Sequence, residues 1–262
     1  MASNHVPAVL SIAGSDSGGG AGVQADLKAF ARVGVHGMTA ITAITAQNTV
    51  GVEAVEAVSP RVIVAQVRAV AEDIGVDAVK IGMLGTAETV DAVVEALSYV
   101  AEAPVVIDPV MVAESGAVLL DQGARMALIE RLLPLTAVAT PNIPEARVLT
   151  GLGEGASQEE LARAVVALGP KAVVVTGGHS EELVDLFYDG EQVVEIPGER
   201  HPDGAAHGSG CTHSSALAAY LACGEEPLEA ARKAREIASA AVGAGLRGIG
   251  KGPGPVNALG LE

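Results

Sequence analysis

Two glycine-rich runs hold the residues best suited to gripping an anion. Gly14-Ser-Asp-Ser-Gly-Gly-Gly-Ala-Gly22 is more than a turn between a strand and a helix requires. That density predicts close backbone approach to a small ligand, with a helix N-terminus just beyond it. Its glycines do not fall at the GxGxxG spacing of a dinucleotide fingerprint. Further on, His207-Gly-Ser-Gly-Cys-Thr212 precedes an apolar helix containing Leu217 and Leu221. Successive N–H groups of Gly208, Ser209, Gly210 and Cys211 at a helix start form an anion nest, reinforced by the helix dipole. Such a nest neutralises a transferring phosphoryl group without any lysine. A thiol at the helix mouth is expected to have a lowered pKa and to accept a proton from a substrate hydroxyl. Cys223, late in the same helix, reads as a buried structural cysteine.

Asp108 follows one apolar run, and Asn142-Ile-Pro-Glu145 follows another. Two readings stand side by side. The side chains hold Mg²⁺, through water, near two phosphates, or Asn142 caps a helix with Glu145 in its first turn. The stretch from Gly245 to Gly252 nearly matches a P-loop, but Gly252 replaces the required hydroxyl and a Gly/Pro tail follows instead of a helix. His5, His36, His179, His201 and His213 lack metal-ligand spacing.

The frame that must position these residues reads as α/β. Strands are expected at 8–13, 38–46, 52–58 (half-exposed), 78–82, 105–108, 137–140 and 172–176, with a hairpin at 183–188 and 192–196. Helices are expected at 21–33, 60–74, 86–100, 123–132, 144–149, 158–168, 209–222 and 228–246. Continuous apolar strands alternating with helices describe a parallel sheet covered on both faces. Its strand ends point the chemistry the same way, since open parallel sheets bind ligands beyond their carboxyl ends. No linker, repeat or compositional break divides the 262 residues, so one domain over 1–262 is expected.

Composition narrows the partners. With 49% hydrophobic residues the chain can bury a sizeable core. Lys and Arg number 16 against 32 Asp and Glu, a net charge of −16, and aromatics are 2%. Those values oppose a phosphate-backbone-tracking or base-stacking surface, so no nucleic acid partner is expected. No apolar run approaches the ~18 residues of a membrane span. Two cysteines make no disulfide framework, and Met1–Pro7 resembles no signal peptide, so a cytoplasmic protein is expected.

Longer blocks carry a resemblance. Ala13 to Lys28 (AGSDSGGGAGVQADLK), Thr45-Ala-Gln-Asn-Thr49 and Lys80-Ile-Gly-Met83 are similar to those of hydroxymethylpyrimidine/phosphomethylpyrimidine kinases of thiamine biosynthesis. So are Asp108-Pro-Val-Met111, Thr140-Pro-Asn-Ile-Pro-Glu145, Gly177-Gly-His179 and Gly208-Ser-Gly-Cys-Thr212, in unbroken order from Val9 to Val256. The resemblance implies a ribokinase-like three-layer αβα sandwich with a mostly parallel central sheet. It implies an ATP- and Mg²⁺-dependent homodimer that phosphorylates 4-amino-5-hydroxymethyl-2-methylpyrimidine and then its monophosphate. Gln47 would then bond the pyrimidine, with Asp16 beside it and Ala21, Met83 and Val110 lining its pocket. Gly208, Ser209 and Gly210 would form the anion hole, and Cys211 would occupy the position of the sugar kinases' aspartate base. Asp108, Asn142 and Glu145 would form the metal-phosphate region, and Thr176 and Gly177 would approach ATP. Many relatives carry Lys at the position of Thr176 and a Thr-Lys-Asn-Thr-like run at Asp203-Gly-Ala-Ala206; these departures bear on nucleotide contacts. A pyridoxine/pyridoxal kinase and a non-catalytic pyrimidine-binding relative are the rival readings.

Overall fold

The computed structural model describes residues 5–112, 119–178, 183–202 and 204–261; His179 and Asp203 lie outside them. Nine strands form one sheet: β1 (Ala8–Asp16), β2 (His36–Asn48), β3 (Gly51–Ala57), β4 (Ala78–Ile81), β5 (Val105–Ile107), β6 (Val138–Ala139), β7 (Ala172–Val175), β8 (Asp185–Tyr188) and β9 (Val193–Ile196). Their order is β3-β2-β1-β4-β5-β6-β7-β8-β9. Strands β2, β1, β4, β5, β6 and β7 run parallel, and β3, β8 and β9 join antiparallel at the two edges.

Side chains alternate across a strand, and each central strand supplies two cores. Leu10, Ile12, Val79, Ile81, Val173 and Val175 face one side. There they meet helices α2 (Pro60–Asp73), α3 (Ala87–Leu97), α4 (Gln122–Ala127), α5 (Ile143–Thr150) and α6 (Gln158–Val166). Val9, Ala78, Ala172 and Val174 face the other, against α1 (Gly22–Val33), α7 (Ser209–Ala222) and α8 (Pro227–Gly243). The result is the expected three-layer αβα sandwich. Ala216, Ala218 and Ala219 of α7 and Ala230, Ala231 and Ala234 of α8 are all fully buried. Small side chains let two helices and a sheet pack closely with few aromatics.

Several expectations need correction. Strand β3 forms, but Glu53–Ala57 are exposed on both faces, because β3 pairs only with β2 at the sheet edge. The helix expected over 123–132 stays α-helical only to Ala127. It widens into a π turn at Leu128–Leu132 and then a 3₁₀ turn at Leu133–Leu135, where Pro134 offers no N–H to continue the ladder. Helix α8 stops at Gly243 instead of 246, where the Val242 carbonyl accepts the N–H groups of Gly245 and Ala205. Cys223 is exposed, not buried. Among the described residues no helix is long and apolar enough to cross a membrane.

Candidate active site

The carboxyl ends of β1, β4, β5, β6 and β7 open onto a cleft of about 670 Å³. Asp16, Ala21, Gln47, Met83, Asp108, Val110, Asn142, Glu145, Thr176 and Gly208 to Cys211 all line it. Gly177, expected to approach ATP, does not line it, and neither do Gly18, Gly19 and Gly20 of the first glycine run; the Gly177 N–H donates to the Asp185 carboxylate at 2.9 Å.

The two glycine runs are rich in glycine because they touch each other. A Cβ on Gly208 would lie 1.9 Å from the Gly20 carbonyl oxygen, and one on Gly20 would lie 2.3 Å from the His207 ring. Asp16, at the end of β1, organises the first run by accepting the N–H groups of Gly18 (2.7 Å), Gly20 (3.0 Å) and Ala21 (2.8 Å). Burial works to raise its pKa, but hydrogen bonding from His207 and these three amides outweighs burial and holds it below its ordinary value.

At the second run, Gly208 takes the left-handed conformation (φ 84°) and the chain turns into α7. The Ser209 N–H donates to the Ala206 carbonyl and the Thr212 N–H to that of Gly208. Ser209 therefore drops out of the expected nest, and the amides of Gly208, Gly210 and Cys211 remain the donors suited to a ligand, the latter two in the first turn of α7. The thiol differs from expectation more sharply. Burial pushes the Cys211 pKa up to about 12, with Asp26 and Asp108 adding to the rise and Lys80 opposing it. The helix terminus is outweighed, and the resting group is a thiol.

Asn142 is the N-cap of α5, in a full capping box. Its side chain accepts the Glu145 N–H at 2.8 Å while Glu145 Oε2 accepts the Asn142 N–H at 2.9 Å. This occupies the Asn142 side-chain oxygen and Oε2 of Glu145, so the donors for a cation are the carboxylates of Asp108 and Glu145, the latter shared with the cap. Burial raises the pKa of both, and the Asp108 charge helps bring Glu145 to about 8. Two carboxylates lining one cleft, each held away from its charged form, fit a divalent cation that would relieve both. No group of three His, Cys, Asp or Glu among the described residues could hold a metal ion, so phosphate and water oxygens would complete its shell.

The Glu145 shift has a sign that can be checked. Between pH 4.5 and about 8 the folded carboxyl keeps a proton that the unfolded chain has released. Stability therefore falls as pH rises through that window. The melting temperature of the metal-free protein is expected to fall from pH 5 to 8, and Glu145→Gln is expected to flatten the slope; an unchanged slope would place the titration elsewhere.

Sequence reasoning assigned no role to Lys80, Asp26 or His207. Lys80 and Asp26 are fully buried and paired at 2.8 Å, and Lys80 also lines the cleft. The signal was available: a lysine within the apolar strand Ala78–Ile81 must find a buried partner. His207 stands 3.5 Å from Asp16.

Comparison with known proteins agrees with this geometry. A family model described as phosphomethylpyrimidine kinase matches residues 16–257. A hydroxymethylpyrimidine/phosphomethylpyrimidine kinase of Rhizobium meliloti is 50% identical over 254 residues, 95% of each chain. A thiamine biosynthesis bifunctional protein of Geobacter sulfurreducens is 45% identical over 95% of this chain and 51% of its own length. Among solved structures, a Staphylococcus aureus pyridoxal kinase in complex with AMP-PCP and pyridoxal superposes with a TM-score of 0.88 at 34% identity, covering 98% of this chain and 94% of that one.

Proposed function

Since the chain belongs to the phosphomethylpyrimidine kinase family, we propose that it transfers the γ-phosphoryl group of ATP to the hydroxymethyl oxygen of 4-amino-5-hydroxymethyl-2-methylpyrimidine. It then transfers a second phosphoryl group to the monophosphate, giving the diphosphate for thiamine biosynthesis. The observation that carries this reading is the convergence of the Gly210 and Cys211 amides, Cys211, Asp108 and Glu145 on one cleft with the Asp16 loop and Gln47. The higher identity to pyrimidine kinases than to the pyridoxal kinase favours the pyrimidine alcohol over a vitamin B6 alcohol.

Gln47, Met83, Val110 and Ala21 hold the pyrimidine with its hydroxymethyl group toward α7. Asp108 and Glu145 would hold a Mg²⁺ ion, which when bound would supply positive charge beside the nucleotide's phosphates. Thr176 lies against the same wall, its N–H bonded to the Pro141 carbonyl at 2.9 Å, and approaches the nucleotide. The alcohol oxygen attacks the γ-phosphorus, the bond from that phosphorus to the β,γ-bridging oxygen breaks, and ADP leaves. The amides of Gly210 and Cys211 bond the migrating group's oxygens, where charge neutralisation matters most. The hydroxyl proton leaves late in a loose transition state and passes to the Cys211 sulfur as thiolate. Burial disfavours that form in the resting site, so the thiol's own proton must leave to solvent as the ligands bind. In the second round a monophosphate oxygen takes the alcohol's place.

The whole chain acts as one kinase domain in the cytoplasm, without nucleic acid. Exposed Ile44, Val50 and Val55 on the β2–β3 edge support a homodimer. Asp16→Ala leaves three loop amides unpaired and is expected to raise KM for the pyrimidine alcohol by about tenfold or more, with a smaller effect on kcat. Initial rates over a range of alcohol concentrations check this. The activity itself is tested by mass spectrometry of products from the pyrimidine alcohol and MgATP. Mono- and diphosphate are expected; phosphorylation of pyridoxal alone, or ATP binding without turnover, would favour the rival readings.

A further inference from the structure

Asp26 of α1 accepts three side-chain hydrogen bonds: from Ser11 of β1 (2.5 Å), Lys80 of β4 (2.8 Å) and Ser215 of α7 (2.7 Å). All four side chains are fully buried. A buried ion pair is a poor stabiliser, because desolvation offsets its attraction and well-packed apolar residues of similar volume serve as well or better. In a chain so rich in Ala, Val and Leu, stability gives no reason for these two charges in the core. Their position does. Ser215 stands one helical turn after Cys211, on the same face of α7, and Ser214 bonds Asp108 at 3.1 Å. The charged groups acting on Cys211 are Lys80 from β4, Asp26 from α1 and Asp108 beyond β5, and Lys80 is the cation of that set. Burial works against the ammonium, but the Asp26 carboxylate, through its charge and its hydrogen bond, leads the groups that outweigh it and hold Lys80 above its ordinary pKa. Gly82 gives the ammonium room, since a Cβ there would lie 2.9 Å from Nζ.

We propose that the Lys80–Asp26 pair is a positioning device for the phosphoryl-transfer centre, pinning the first turns of α7 to the sheet and keeping one fixed positive charge within reach of Cys211. The proposal rests on the phosphotransferase reading of the site. It is tested with the neutral double variant Lys80→Met, Asp26→Asn, in a Cys223→Ser background that leaves Cys211 as the sole thiol. Removing both charges together leaves no unpaired ion, so the fold is expected to persist. Expected results are a fall in kcat of about tenfold or more, KM for the alcohol within about twofold, and slower alkylation of Cys211 by iodoacetamide at fixed pH, since the Lys80 charge acts on the sulfur more strongly than the opposing Asp26 charge. Alkylation needs no phosphoryl transfer, so it reads the charge even if the true acceptor is another alcohol. A double variant that keeps its turnover within about twofold of the parent, or whose Cys211 is alkylated as fast as the parent's or faster, overturns the proposal. Should the double variant fail to fold, Ser215→Ala cuts only the tie from α7. It is expected to lower kcat by about threefold or more; parental kcat there likewise overturns the proposal.

Discussion

Replacing Cys211 by alanine is expected to lower kcat by about 10²–10⁴, the usual contribution of a positioned acid–base group. KM for the pyrimidine alcohol should change little, because the acceptor pocket proposed above is built from Gln47, Met83, Val110 and Ala21, all of which line the cleft. Cys211→Ser should fall with the alanine variant, since a hydroxyl holds its proton more tightly than a thiol. The prediction survives the finding that burial holds the resting thiol near 12. The thiol proton is released to solvent as the ligands bind, and the sulfur takes up the hydroxyl proton only as the acceptor oxygen bonds to phosphorus. A corollary is that iodoacetamide should label exposed Cys223 well before Cys211 in the ligand-free protein. Steady-state kinetics of the two variants decide the matter; turnover within a few-fold of the parent would show the sulfur dispensable.

Gly208→Ala is expected to cost about 10² or more in kcat/KM, comparable to removing a donor from an oxyanion hole. Two effects coincide there. The residue sits at φ 84°, and its new methyl group would meet the Gly20 carbonyl at 1.9 Å. Neither backbone can give without moving the first turn of α7 or the loop that Asp16 organises. Gly224 provides the control, with φ 86° and nothing within 4 Å of the place a methyl group would take. Gly224→Ala carries backbone strain of about 1–2 kcal/mol alone and should leave kinetics near parental. Measuring melting temperature and kcat/KM for both variants separates strain from loss of the nest. Equal kinetics in the pair would mean the amides do not bind the migrating group.

Much of this architecture was legible because its signals are local. Helix α7 begins and ends where the sequence predicts, since Gly208 breaks the preceding chain and an apolar run from Ala216 carries the helix to Ala222. The strand-end residues converge because parallel topology leaves them no other side to face. What was misread depends on contacts made far along the chain. The position of Cys211 at a helix mouth suggested an acidic thiol, but its burial and the carboxylates of Asp26 and Asp108 come from other elements. Asn142-Ile-Pro-Glu145 is compatible with both a cap and a cation site, and only the packed structure shows the cap formed while Glu145 still lines the cleft. The alternation in β3 resembles a strand with one covered face, yet nothing in a period of two says whether a helix will cover it. The anion nest makes a lysine unnecessary for charge neutralisation, so nothing in the local sequence assigns Lys80 a role. Its partner Asp26 lies far back in the sequence, within an otherwise apolar helix face.

The most direct test is a crystal structure of the enzyme with the pyrimidine alcohol, Mg²⁺ and a non-hydrolysable ATP analogue. The terminal phosphate is expected within about 3 Å of the Gly210 and Cys211 amide nitrogens, with the hydroxymethyl oxygen between it and the Cys211 sulfur. A terminal phosphate bound away from the start of α7, with both amides facing solvent, would contradict the account.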